Sequence, residues 1–134
     1  MNRYVTDTHA LLWHLSQDSA LSSEAARLFN DADRGQVTIV IPTIVIVEIT
    51  YLCERQRVPF EQIKRILSLV QLPNSQYHSA PLDLSVAEEL QRVARDLVPD
   101  MPDRIIAATA LHLGLPLITR DSKLQTCSLV TCIW

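Results

Sequence analysis

The most apolar stretch of the chain, VTIVIPTIVIVEITYL at residues 37–52, contains one ionised side chain, that of Glu48. The stretch is shorter than the ~20 apolar residues that a membrane span needs, and Pro42 and Glu48 interrupt it. It therefore belongs to the core of a globular domain. Because an unpaired charge is costly to bury in such a core, some other feature of the sequence must compensate Glu48.

The length and composition are those of a single domain over residues 1–134. Hydrophobic residues make up 48% of the chain and charged residues 20%, which is typical of a folded protein with a sizeable core. The three cysteines are odd in number and lack CxxC spacing, and the first residues do not resemble a signal peptide. We therefore expect reduced thiols, no membrane association and a cytoplasmic location.

Glycine is scarce, with only Gly35 and Gly114 in the whole chain. The phosphate-binding GxGxxG and GxxxxGK[ST] loops and the GxSxG nucleophile elbow all need more glycine than this. The sequence thus excludes these nucleotide-binding loops and the usual α/β-hydrolase site.

Apolar strands alternate with amphipathic helices along the chain. Strands are predicted at 3–7, 37–41, within 76–83, at 115–119 and at 128–134. Helices are predicted at 8–15, 22–35, 43–57, 59–72, 85–97 and 102–114. This alternation favours an α/β fold with a parallel sheet covered on both faces, in which sites form at the carboxyl ends of the strands.

Several helix ends have recognisable signals. Asp7 or Thr8 is expected to cap the first helix, and Thr43 is expected to cap the helix at 43–57. Ser85 and Glu88 form a predicted capping box. The helix at 102–114 has a proline in its first turn and Gly114 at its end.

Four acids fall where this fold would bring them together. Asp7 closes the first strand, Asp121 follows the strand at 115–119, Asp103 lies in the first turn of a helix, and Glu48 lies one to two turns into the helix after the second strand. Clustered carboxylates repel each other unless cations lie between them. Oxygen ligands indicate Mg²⁺, with Mn²⁺ as a substitute, and the four histidines show no zinc spacing.

Each acid also has a purely structural interpretation. Asp7 and Asp121 could be helix or turn caps, and Asp103 could simply favour a helix N-terminus. Glu48 could form an ion pair with Arg55. These alternatives stay open at the level of the sequence, although together the four positions point to one edge of the sheet.

Other polar groups lie close to the acids in sequence. The hydroxyls of Thr8 and Thr119 could position water or cap turns, and Arg104 and Arg120 could contact phosphate or neutralise carboxylates. Asp100 is interpreted as a solvated loop residue, and Trp13 and Trp134 as packing residues.

Three segments, VTDTHALLWHL, PTIVIVEITYL and MPDRIIAATALHLGLPLITRDSKL, resemble the PIN-domain family, and within it the VapC-type toxins of bacterial toxin–antitoxin pairs. The resemblance implies a three-layer sandwich with a central, mostly parallel sheet of about five strands. It also implies a Mg²⁺-dependent endoribonuclease that forms a homodimer and binds a cognate antitoxin. The acidic quartet of the family falls on Asp7, Glu48, Asp103 and Asp121, with Thr119 as the neighbouring hydroxyl.

The expected activity is metal-assisted hydrolysis of single-stranded RNA. The net charge of −3 includes the four site acids, so the rest of the surface is mildly basic. One alternative is a phosphatase-like or phosphoacceptor α/β domain, although DTH lacks the second aspartate of a DxD motif. Another is a non-catalytic PIN-fold module that binds a partner protein.

Overall fold

Five parallel strands form one sheet in the computed structural model, which describes residues 1–134. The strands are β1 (Arg3–Thr6), β2 (Thr38–Pro42), β3 (Tyr77–Ala80), β4 (Leu117–Ile118) and β5 (Cys132–Ile133), in the spatial order β3-β2-β1-β4-β5. The central strand β1 pairs with β2 on one side and with β4 on the other. The strand order reverses at β1, which is where sites form in open parallel sheets.

Seven α-helices cover the sheet. They are α1 (Thr8–Ser16), α2 (Ser23–Asp33), α3 (Thr43–Glu54), α4 (Phe60–Gln71), α5 (Leu84–Glu89), α6 (Met101–Leu113) and α7 (Ser122–Gln125), with a single 3-10 turn at Leu90–Arg92. The predicted α/β sandwich with a parallel sheet of about five strands is confirmed. No helix has the length and apolar character needed to cross a membrane.

The sheet is the centre of one hydrophobic core. Val5 of β1, Val40 of β2 and Leu117 of β4 lie side by side in register and have at most 1% of their surface exposed. Fully burying an aliphatic side chain of this kind contributes about 1.5–3 kcal/mol. This packing fixes the carboxyl ends of the three strands relative to each other, and with them the residues that follow.

The predictions for the N-terminal end of α3 and for its length were wrong in detail. Pro42 occupies the N-cap position and provides no side-chain cap, while the hydroxyl of Thr43 accepts a hydrogen bond from the backbone N–H of Leu82 at 3.2 Å. The helix ends at Glu54 instead of continuing to residue 57. Gln56 has a φ of 60°, a left-handed conformation that cannot continue an α-helix.

The predicted helix at 85–97 is also shorter than expected, and its capping box is wrong. Asp83 is the N-cap and accepts a hydrogen bond from Val86 N–H at 3.1 Å, and α5 ends at Glu89. The Arg104 guanidinium donates to the carbonyls of Leu90 and Val93 at 3.0 and 2.9 Å. These carbonyls are thus bound by a side chain from α6 instead of by a continuing helix.

The remaining elements agree with the predictions apart from their ends. Helix α6 has Pro102 in its first turn and ends at Gly114, which has a φ of 65°. Helix α2 has Ser22 as its N-cap, as its serine start predicts. Strand β2 has its predicted length of five residues but is shifted by one, whereas three strands are shorter than predicted: β1 ends one residue earlier because Asp7 is the N-cap of α1, and β4 and β5 have two residues each.

Candidate functional site

A cavity of about 510 Å³ opens at the carboxyl edge of the sheet, beside the central strand β1. Nine residues line it: Asp7, Thr8, His9, Trp13, Glu48, Asp100, Asp103, Arg120 and Asp121. All four acids of the sequence prediction are in this set. The structure therefore brings together residues from the start of α1, the middle of α3, the start of α6 and the start of α7.

Asp7 has a structural role and a place in the cavity at the same time. One carboxylate oxygen caps α1 by accepting from Ala10 N–H at 2.9 Å, and the other accepts from the Thr119 hydroxyl at 2.5 Å. Only 6% of Asp7 is exposed, and this burial raises its pKa, although both hydrogen bonds oppose the shift. The capping interpretation of Asp7 is correct, and it does not compete with a role in the cavity.

Thr119 connects two of the acids from beneath the cavity. Its side chain is fully buried at the end of β4, and its hydroxyl donates to Asp7 and accepts from the backbone N–H of Asp121 at 3.0 Å. A threonine hydroxyl can serve as donor and acceptor together, as this arrangement requires. Thr119 thus fixes Asp7 relative to the loop that carries Asp121.

Glu48 projects from the apolar helix α3 into the cavity. Its Oε1 accepts a hydrogen bond from the Thr8 hydroxyl at 2.5 Å, and no ion pair with Arg55 or any other cation is present. Partial burial raises the pKa of Glu48, and the nearby charges of Asp100 and Asp7 add to the effect. The ion-pair explanation for this carboxylate is therefore wrong, since its only partner is a neutral hydroxyl.

Asp103 carries the clearest sign of charge crowding. Burial, followed by the charges of Asp100, Asp121, Glu48 and Asp7, raises the pKa of Asp103 to about 7. No hydrogen bond to the carboxylate opposes these effects. The negative charge of Asp103 is consequently unfavourable in the folded protein near neutral pH.

Asp121 resembles Asp7 in combining a cap with a cavity position. Its Oδ1 accepts from the backbone N–H groups of Lys123 and Leu124 at 2.9 and 3.0 Å, which starts the short helix α7. These hydrogen bonds orient the carboxyl group at the cavity wall. The predicted turn-capping role of Asp121 is therefore correct.

The sequence interpretation missed three residues of the cavity. Asp100 was interpreted as a solvated loop residue, but it caps α6 by accepting from Asp103 N–H at 3.2 Å and it lines the cavity. His9 and Trp13 line the cavity from α1. Asp100 lies three residues before Asp103, which is a helix-capping signal that could have revealed its role. His9 and Trp13 are four residues apart on α1, and this spacing could have revealed that they share one face of the helix.

The two arginines beside the acids have different environments. Arg104 is partly buried and holds the carbonyls of Leu90 and Val93, so it stabilises the fold. Arg120 is exposed in the cavity, and its guanidinium lies 5.6 Å from the centroid of the Trp13 ring. Neither arginine forms an ion pair with a cavity acid, so the carboxylates are not neutralised by the protein.

The side chains fit a hard divalent cation by their chemistry, although they do not form a complete cage. No group of three or more His, Cys, Asp or Glu residues is arranged to hold a metal ion by itself. Mg²⁺ usually retains several waters and binds through only one or two carboxylates, so it does not need such a cage. The cavity has five carboxylates without a cationic partner, and three of them have a raised pKa. A bound Mg²⁺ or Mn²⁺ would reduce the repulsion between these carboxylates.

A parallel sheet with an acidic cavity at its switch point defines a class of α/β proteins with a candidate phosphate-ester or metal site. The sequence model of the PIN domain matches residues 4–127, and the chain therefore belongs to the PIN-domain family. It is similar to Ribonuclease VapC22 of Mycobacterium tuberculosis, with 25% identity over 126 residues that cover 94% of this chain and 92% of the relative.

Solved structures show the same fold. VapBC2 from Rickettsia felis, bound to a DNA fragment from its promoter, matches with a TM-score of 0.72 and 14% identity over 98% of this chain and 97% of the other. VapBC-5 from Mycobacterium tuberculosis, a member of the VapBC family of toxin-antitoxin systems, matches with a TM-score of 0.62 and 18% identity over 99% of this chain and 98% of the other.

Proposed function

We propose that this protein is a Mg²⁺- or Mn²⁺-dependent endoribonuclease that cleaves single-stranded RNA and acts as the toxin of a toxin–antitoxin pair. The observation that carries the proposal is the set of unneutralised carboxylates around one cavity at the switch point of a PIN-domain sheet. The similarity to a protein named as a ribonuclease supports the same activity.

In this proposal Asp7, Glu48, Asp103 and Asp121 hold the cation. A bound divalent ion supplies Lewis acidity, which lowers the pKa of water and stabilises negative charge on phosphate oxygens. Thr119 contributes by orienting Asp7 and Asp121 through its two hydrogen bonds. Crowding of the acids raises the affinity for the cation, because binding removes a repulsion that is present without it.

Hydrolysis without a covalent protein intermediate suits the residues of the cavity. No serine or cysteine lines it, and the one cavity-lining threonine, Thr8, donates its hydroxyl proton to Glu48. A phosphatase of the DxD type is less suited, because the residue two positions after Asp7 is His9. The remaining alternative, a non-catalytic binding module, does not account for five carboxylates around one cavity.

The proposal includes two protein partners, a second copy of the chain and a cognate antitoxin. Large apolar side chains on α3 and at the start of α4 are exposed, with 48% of Val47, 57% of Tyr51 and 56% of Phe60 accessible. Val47 and Tyr51 also line a groove of about 400 Å³ beside Glu48. Exposed apolar surface next to a functional site is typical of a protein–protein contact. The similarity to a VapBC toxin-antitoxin protein supports an antitoxin as one partner.

A cleavage assay with purified protein tests the activity. A mixed-sequence single-stranded RNA and p-nitrophenyl phosphate are incubated separately with Mg²⁺, with Mn²⁺ and with EDTA. We expect RNA cleavage only with a metal ion, and no hydrolysis of the small ester. Hydrolysis of p-nitrophenyl phosphate without RNA cleavage would favour a phosphatase. Absence of both activities would favour a non-catalytic binding module.

Two variants control for contaminating ribonuclease. Asp103→Asn changes a cavity acid, whereas Asp83→Asn changes an exposed helix cap outside the cavity. Asn caps helices about as well as Asp, so Asp83→Asn should fold, and Asp103→Asn should fold because the Asp103 carboxylate accepts no hydrogen bond that the change would remove. Cleavage must be lost in Asp103→Asn and kept in Asp83→Asn, and activity in both preparations would mean that the cavity is not the source.

A further inference from the structure

One wall of the acidic cavity differs in chemistry from the rest. His9, Trp13 and Arg120 lie together there, and Trp13 is the only hydrophobic residue among the nine that line the cavity. We call these three residues the aromatic wall. The acids account for metal binding, but they give no account of an indole and a guanidinium beside them.

The aromatic wall is held in place from several elements. Trp13 contacts His9 within α1, with ring centroids 5.7 Å apart, and meets Trp134 after β5 edge-on, with centroids 5.8 Å apart. The Arg120 guanidinium lies 5.6 Å from the Trp13 centroid, within the range of a cation–π contact. The arginine thus contacts an aromatic ring and forms no ion pair with the nearby acids.

Core packing does not explain this arrangement. Trp134 is partly buried and packs against the hydrophobic core, whereas Trp13 is not among the side chains that do so. His9 and Arg120 are exposed. The sequence interpretation of both tryptophans as packing residues therefore holds for Trp134 but is incomplete for Trp13, which packs against Trp134 and also lines the cavity.

The aromatic wall offers what a single-stranded nucleotide needs next to its phosphate. Unpaired bases stack on aromatic rings and on guanidinium planes, and arginine contacts phosphate oxygens. A protein partner could also contact an exposed indole, but the unpaired Arg120 charge beside it favours an anionic ligand. Stacking tolerates any base, because every base presents a π-face.

We propose that the aromatic wall is a nucleotide-binding subsite, in which Trp13 and His9 stack a base and Arg120 contacts the backbone next to the bond that is cut. This inference rests on the proposed ribonuclease function and deepens it. The subsite selects single-stranded RNA, since a base inside a duplex is not free to stack on the wall.

Substrates that lack one base test the proposal without changing the protein. A short single-stranded RNA with one mapped cleavage site is prepared with an abasic ribonucleotide at each position around that site in turn. We expect kcat/KM to fall about 5- to 150-fold at one position, which corresponds to 1–3 kcal/mol for one stacked base. Abasic substitution at the other positions should have smaller effects.

Protein variants then assign the effect to the wall. Trp13→Leu should lower kcat/KM on the intact RNA by the same factor, and its kcat/KM should not fall further with the abasic substrate. Trp13→Phe should keep part of the fall in kcat/KM that the abasic substitution causes. Trp134→Phe is the matched control, because Trp134 touches Trp13 but does not line the cavity. It should retain the full abasic penalty even if its melting temperature falls.

The outcomes separate this inference from the proposed function. Absence of metal-dependent cleavage by the wild type would overturn both. Cleavage with no abasic penalty at any position, or with an undiminished penalty in Trp13→Leu and Trp13→Phe, would overturn the subsite alone. Loss of binding to a protein partner in Trp13→Phe, with the abasic penalty unchanged, would assign the wall to that partner instead.

Discussion

Replacing Asp103 with asparagine should stabilise the metal-free protein while abolishing its activity. In the wild type the pKa of Asp103 is raised to about 7 by burial and by four neighbouring carboxylates. The ordinary value is about 3.9 in an unfolded chain. Ionised Asp103 therefore opposes folding, and asparagine removes the charge at nearly constant shape.

The pKa difference sets the size and the pH dependence of the effect. At 1.36 kcal/mol per pKa unit, it corresponds to about 4 kcal/mol above pH 7. Because Asp103 is only partly buried, solvent screening reduces the expected gain to about 1–2 kcal/mol. A raised pKa means that the penalty is absent below pH 4, grows as the pH rises and is complete above pH 7. The advantage of Asp103→Asn should follow the same course.

Urea unfolding in EDTA at pH 4 and at pH 8 measures this advantage, with Asp83→Asn as the control. Asp83 is also a helix cap, but it lies outside the cavity, so its substitution should change the free energy of unfolding at neither pH. A free energy of unfolding for Asp103→Asn that equals the wild type at pH 8, or that exceeds it equally at both pH values, would refute the charge-crowding argument.

Three further predictions concern the metal, the buried threonine and the oligomeric state. Added Mg²⁺ should stabilise the wild type by about 2.7 kcal/mol at a hundredfold excess over its dissociation constant, and Asp103→Asn much less; equal shifts in thermal melts would contradict cation binding by the acids. Thr119→Val should lower the free energy of unfolding by about 1–3 kcal/mol and reduce RNA cleavage, because the N–H of Asp121 loses its acceptor. Thr119→Ser keeps the hydroxyl and should retain most of the stability and most of the activity. Urea unfolding and RNA cleavage assays compare the two variants, and a valine variant with unchanged stability and activity would exclude the positioning role of Thr119. Light scattering at micromolar concentration should give twice the 15.1 kDa chain mass, and Tyr51→Asp should shift it toward the monomer; a wild-type monomer would contradict the homodimer.

Local patterns were sufficient to predict the fold and the position of the acids. Alternating strands and helices imply a parallel sheet, and in a parallel sheet the residues after Thr6 and Ile118 meet at one edge. Local patterns were insufficient where a side chain distant in sequence determines the end of a helix. Nothing near residue 90 indicates that Arg104 would bind the carbonyls of Leu90 and Val93 and end the helix there.

The same limit explains why the cavity position of Trp13 was missed. Its position on α1 fits a packing residue, and its cavity position depends on Arg120 and Trp134, which are far away in sequence. For Asp7, by contrast, the sequence suggested two roles, a helix cap and a cavity acid, and the geometry is compatible with both. An N-cap at the carboxyl end of a central strand lies at the rim of the site by necessity.

The placement of β1 between β2 and β4 has a consequence during synthesis of the chain. The first strand precedes its second neighbour, which begins at Leu117, by more than a hundred residues, so the hydroxyl of Thr119 cannot reach Asp7 until β4 has been synthesised. Domains of this size fold as units, and non-local strand pairing is slow. A nascent chain therefore carries the acids without their final arrangement. For a protein that cleaves RNA, as proposed above, this order of synthesis protects its own message until β4 has left the ribosome.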